Sequence, residues 1–167
     1  MALYINSEGP FDCAVGFSQE VFSLSLVASL LDSGRKTAFD TAERCIQGMP
    51  YPKCFLKHDG TEGLQPQFRF VIMSGGKYDG REIYSAFYEP KIRTNILAFI
   101  GMYDSIIDEG KSLGQAMVYE GLARVIDHPG GHHLPQEKFY IDEIERFLSD
   151  IFENEVIVCQ HLGSDSI

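Results

Sequence analysis

The chain has 167 residues, 44% of them hydrophobic and 23% charged, a composition that suits one globular domain burying roughly two-thirds of its unfolded surface. Its net charge of −10 excludes a protein that coats duplex DNA through a uniformly basic surface, and no apolar run reaches the roughly 18 residues of a membrane helix. Met1 to Ile5 has neither a basic start nor a long apolar core, and Cys13, Cys45, Cys54 and Cys159 form no CxxC pair, so reduced thiols in a cytoplasmic protein are expected.

In chain order, residues 1–17 read as a strand and a loop. Val21, Leu24, Ala28 and Leu31 recur at three- and four-residue steps, which predicts a helix from Ser18 to about Asp32. A second helix, Lys36 to Gln47, would carry Ala38, Ala42, Cys45 and Ile46 on one side and stop at Gly48 and Pro50, giving an N-terminal helical hairpin over about 18–48. Cys54-Phe55-Leu56 reads as a short strand. Phe68 to Met73 and Glu82 to Tyr88 alternate as two strands joined by Gly75-Gly76, an aromatic hairpin over 68–88. Ile92, Ile96, Phe99, Tyr103 and Ile106 predict a central helix from Ile92 to Glu109. Leu122 to Asp127 and Lys138 to Asp142 read as a strand pair around a turn rich in His, Gly and Pro; a helix from Glu143 to Phe152 and a β-branched run, Val156 to Val158, follow. The expected fold class is therefore α+β: a small antiparallel sheet, or an OB-like partial barrel, covered by the helical hairpin and the central helix, in one domain with its sheet and second hairpin within 53–142.

Charge is unevenly spread. Residues 53–93 hold seven basic against five acidic side chains, whereas 104–155 hold twelve acidic against four basic. The aromatic hairpin lies in the less acidic part. Tyr78, Tyr84 and Tyr88 could stack bases while Arg69, Lys77 and Arg81 meet phosphates, the pairing of ring and cation that suits a single strand. The string Phe68-x-Phe70-x-Ile72, Gly75 or Gly76, Tyr78-x-Gly80-Arg81-x-Ile83 resembles a hairpin in a phage-encoded family of small domains related to single-stranded-DNA-binding proteins with an OB-like barrel. Over about 68–142 that resemblance implies a non-enzymatic phage or mobile-element protein with single-stranded DNA as partner and no cofactor. The helical residues 18–48 depart from such domains, which enter through strands.

Other constellations compete. Asp142, Glu143, Glu145, Asp150 and Glu153 could present a nucleic-acid-like acidic face, which would make the chain an inhibitor that binds a host nucleic-acid enzyme. The same residues read more plainly as solvated helix surface. His128, His132 and His133 beside Asp127 could ligate zinc for a metal-dependent hydrolase, but their spacing fits an exposed turn better. Cys54-x3-His58 and Cys159-x-His161 match no metal-site spacing. Gly75-Gly76-Lys77 is too short for a phosphate loop. No G-x-S-x-G elbow is present and no histidine stands in an evident triad context, so no catalytic residue is expected.

Overall fold

Four strands share one direction. β1 (Cys13–Phe17), β2 (Phe70–Ser74), β3 (Asn95–Gly101) and β4 (Ala123–His128) make a parallel sheet in the order β1-β2-β3-β4, with Cys13 opposite Phe70, Phe70 opposite Asn95 and Ile96 opposite Ala123. The computed structural model describes residues 1–44 and 49–162, with side chains described over 1–41 and 49–153. All of β2 is buried, and so is β3 from Ile96 onward. Strands covered on both faces need no polar alternation, which is why both read as continuous apolar runs.

Parallel neighbours need long crossovers, and helices supply most of them. A short helix, α1 (Ala2–Glu8), precedes β1. α2 (Gln19–Leu31) and α3 (Arg35–Arg44) lie between β1 and β2. A 3-10 turn (Glu82–Tyr84) and α4 (Ser85–Tyr88) lie between β2 and β3, and α5 (Glu109–Met117) between β3 and β4. The periodic residues Val21, Leu24, Ala28 and Leu31 are all buried, in one core with Val71, Met73, Ile96 and Ala98 of the sheet. Phe39 of α3 meets Phe87 and Tyr51 edge-on, at ring-centroid distances of 4.7 and 5.4 Å. Inside this core, Ser25 accepts from Gln115 Nε2 at 2.8 Å and from Tyr119 Oη at 3.0 Å while donating to the Val21 carbonyl. Burial drives the Tyr119 hydroxyl far above its ordinary pKa, and the bond to Ser25 only partly opposes the shift.

The chain divides into two compact units. Met1–Leu134 holds the whole sheet. Pro135–Ile167 holds one long helix, α6 (Lys138–Leu162), on which Tyr140, Phe147 and Ile151 fall on one face.

Several expectations are corrected. The sheet is all-parallel, so neither an antiparallel sheet nor an OB-like barrel describes it. The aromatic hairpin does not form: β2 is already flanked by β1 and β3, and no edge is left for a returning strand. Residues 82–88 are helical instead, and the Tyr78 N–H, bonded to the Lys111 carbonyl at 3.1 Å, leads the chain away from β2. The predicted helix over 92–109 is β3 followed by a loop. A run apolar at nearly every position satisfies both the helical and the strand period, and here the strand wins. The strand expected at 122–127 exists as β4, but Lys138 to Asp142 begins α6 rather than pairing with it, and Val156 to Val158 continues α6. Residues 53–55 form a 3-10 turn, and Ala2–Glu8 a helix, where strands were expected. Cys45, Ile46 and Gln47 lie outside the described residues, as do the side chains of Cys159 and His161.

Candidate active site

Between β1 and α2 the chain turns on a single residue. Ser18 has φ 57° and ψ −122°, the left-handed region that a non-glycine residue enters at a cost of about 1–3 kcal/mol. The turn is held from both sides. The Ser18 N–H donates to the Ser74 carbonyl at the end of β2, at 2.9 Å, and the Val21 N–H donates back to the Ser18 carbonyl at 3.2 Å. Gly16 lets strand and helix approach: a Cβ there would lie 3.2 Å from the Val21 Cα, a backbone atom that cannot step aside. Although Ser18 occupies the N-cap of α2, its hydroxyl makes no capping bond. It points elsewhere.

That hydroxyl meets His132. Nε2 of His132 lies 2.7 Å from Ser18 Oγ, and Nδ1 lies 2.7 Å from Asp104 Oδ2. Asp104 follows β3 and His132 follows β4, and the two loops are stitched together. Met102 N–H donates to the His128 carbonyl at 2.9 Å, and Tyr103 N–H to the Gly130 carbonyl at 3.0 Å. Gly75 makes the room: with φ 60°, its absent Cβ would sit 2.9 Å from His132 Cε1. The imidazole also leans on the Phe17 ring, 4.9 Å between centroids.

The electrostatics assign the protons. The Asp104 side chain is only 4% exposed, and burial by itself would raise its pKa. Bonds from the Ile107 N–H, from His132 and from the Ile106 N–H outweigh that, and the carboxyl sits below its ordinary value. An ionised Asp104 only accepts, so Nδ1 of His132 carries the hydrogen, and in the neutral imidazole the Nε2 lone pair faces the Ser18 hydroxyl. A serine hydroxyl facing an imidazole lone pair, with the imidazole oriented by a carboxylate, is a nucleophile with its general base. The Gln19 N–H, at the first position of α2, has no partner within the helix and directly follows Ser18 in the chain. An open groove of about 330 Å³ adjoins Ser18, lined by Ser18, Gln19, Phe22, Lys77, Asp79 and Ile107.

The residues selected from sequence fall elsewhere. Arg69 precedes β2 and Lys77 follows it, at opposite ends of the strand. Tyr88 is only 5% exposed, in contact with Tyr78 at 5.5 Å, so it offers no stacking face. Tyr84 sets its ring against Phe22 at 5.2 Å, and Arg81 is forked onto Asp79 with Nη2–Oδ2 2.6 Å. Only Lys77 of the six lines the groove. On α6, Asp142 pairs with Lys138 at 2.6 Å and Glu143 pairs with Arg146, while Glu145 and Glu153 are exposed and Asp150 is half-buried. His128 is buried and packs on His133 at 5.0 Å, and no cluster that could hold a metal exists among the described residues.

Sequence reasoning missed the candidate nucleophile because Gly16-Phe17-Ser18-Gln19-Glu20 ends in Glu where the elbow pattern has Gly. Glu20 is exposed in the first turn of α2, so nothing packs where that glycine would be needed, and its charge suits the helix N-terminus. The readable signal was a serine standing between a strand and a helix, with Asp and His following in the order of α/β-hydrolases.

The comparisons agree with this geometry. The family model for serine hydrolase (FSH1) matches residues 1–144. A dihydrofolate reductase of Schizosaccharomyces pombe is 28% identical over 145 residues, 87% of this chain and 26% of that protein. Esterase CG5412 of Drosophila melanogaster is 24% identical over 153 residues, 89% of this chain and 44% of that protein. The chain thus spans less than half the length of either relative. Zea mays acyl-protein thioesterase 2 superposes with a TM-score of 0.52 at 14% identity, covering 90% of this chain and 62% of that one, a likeness of fold alone. The family match and the parallel sheet overturn the phage OB-like resemblance, the non-enzymatic reading in both its DNA-binding and inhibitor forms, and single-stranded DNA as partner. With 144 residues matched, the chain belongs to the serine hydrolase (FSH1) family.

Proposed function

We propose that the protein hydrolyses carboxylic esters, with Ser18 as nucleophile, His132 as general acid and base, and Asp104 as the group that orients and stabilises the imidazolium. The observation that carries this is the unbroken chain from Ser18 Oγ through both His132 nitrogens to Asp104 Oδ2, at 2.7 Å per contact. Ser18 Oγ attacks the ester carbonyl carbon as its proton passes to His132 Nε2. The carbonyl oxygen gathers negative charge next to the Gln19 N–H at the positive end of α2. Collapse expels the alcohol, which takes the proton from Nε2, and leaves an acyl group on Ser18. Water, deprotonated by the same nitrogen, then attacks that acyl group, and Ser18 recovers its proton as the acid departs. The esterase name of the fruit-fly relative supports ester substrates.

A fluorophosphonate probe tests the reading. It should form a covalent adduct that maps to Ser18, and Ser18→Ala should abolish both adduct and ester hydrolysis. An unlabelled native protein, or a label on another residue, would refute it. The proposed compartment is the cytoplasm, where the exposed free thiols of Cys13 and Cys54 stay reduced; among the described residues no helix is long and apolar enough to cross a membrane.

A further inference from the structure

The groove beside Ser18 is electrically lopsided. Three of its lining residues follow the carboxyl ends of strands: Lys77 and Asp79 after β2, and Ile107 after β3. Asp79 is already engaged. Arg81 grips both of its oxygens, with Nε at 2.9 and 3.0 Å and Nη2 at 2.6 Å, and that bond holds the Asp79 carboxyl below its ordinary pKa. Arg81 is in turn held over the Tyr84 ring, 5.1 Å from its centroid. Lys77 is exposed and makes no ion pair among the described residues. Phe22 and Ile107 add apolar wall to the groove, and the N-terminus of α2 adds positive potential at Ser18 itself. The groove therefore offers apolar side chains and one exposed cation, Lys77, whose charge acts on Asp79 without a direct ion pair because Arg81 holds that carboxylate.

We infer that Lys77 is a specificity-determining residue, and that the preferred substrates are esters whose short apolar acyl chain ends in a carboxylate. This rests on the ester-hydrolase reading above. A volume near 330 Å³ is at the small end of ligand sites, which favours a short acyl chain over a long lipid. Lys77 meets the distal carboxylate, Phe22 and Ile107 cover the methylenes, and the ester carbonyl lies at Ser18.

Two esters of equal carbon count in the acyl chain, monoethyl adipate and ethyl hexanoate, separate the possibilities. The purified protein should favour monoethyl adipate in kcat/KM by about tenfold, the order expected of one charge-assisted contact. Lys77→Met should bring the ratio of the two values near one. Arg81→Met, which releases the Asp79 carboxylate toward Lys77, should lower the ratio as well, and added salt should shrink it in the native protein. A native ratio at or below one, or a ratio unmoved by Lys77→Met, overturns the inference. So does a Ser18 labelled by fluorophosphonate in a protein that cleaves neither ester. Absence of both labelling and cleavage refutes the catalytic reading instead, and the inference falls with it.

Discussion

At the scale of single residues, the site depends on three side chains and two glycines. Asp104→Asn keeps the shape but reverses the hydrogen-bond demand on His132 Nδ1, so the imidazole presents N–H rather than a lone pair to Ser18. Ester turnover should fall by about four orders of magnitude, measured as kcat at saturating substrate. The same carboxylate is linked to stability. Its folded pKa lies below its unfolded one, so its contribution is fully present above the ordinary carboxylate value near ~4 and is lost as pH falls through the lowered folded value. Thermal melts from neutral to acid pH should show the native protein losing stability in that window by more than Asp104→Asn does. Gly75→Ala tests the space under the imidazole. A Cβ would press on His132 Cε1 from a backbone at φ 60°, so stability should drop by about 1 kcal/mol and activity by more than that loss of folded protein explains. Equal activity per folded molecule would argue that His132 does not need this gap.

At the scale of elements, a buried ion pair ties the helical layer to the segment entering β3. Asp32 caps α2 and Arg35 opens α3; their side chains are each 1% exposed and 2.9 Å apart. Arg35 also donates to the Pro90 and Lys91 carbonyls, and Asp32 Oδ2 accepts the Arg93 N–H at 3.0 Å. Burial lowers the Arg35 pKa although Asp32 opposes the shift. Removing one partner leaves the other charge unpaired in the interior, so Arg35→Leu should cost about 3–5 kcal/mol in urea denaturation. Asp32→Asn with Arg35→Leu should recover part of that loss. α2 was readable from sequence because its apolar periodicity acts within a few turns of one helix. β3 was not, since Ile96 to Ile100 is apolar on both faces and its identity depends on the strands beside it.

At the scale of the whole molecule, the residues of the candidate site collect at one edge of the sheet. Ser18, Lys77, Asp104 and His132 follow β1, β2, β3 and β4 respectively, all at their carboxyl ends, where parallel strands place their loops on a common side. The central strands should be the last to open. Amide hydrogen exchange should be slowest in Val71–Met73 and Ile96–Phe99 and faster in β1 and β4, and equal protection across the four strands would contradict this.

The sequence by itself determined what neighbouring residues decide: the buried stripe and limits of α2, the strand character of 70–74 and 123–128, and the turns at Gly75 and at Gly130-Gly131. It also presented Ser18, Asp104 and His132 with only their order along the chain to suggest that they belong together. Ser18 and His132 are 114 positions apart, and no local period or propensity acts over that distance. Only the tertiary structure decided that the strands pair in parallel and in chain order. That pairing carries three separate loops to one sheet edge and brings a strained serine within 2.7 Å of an imidazole.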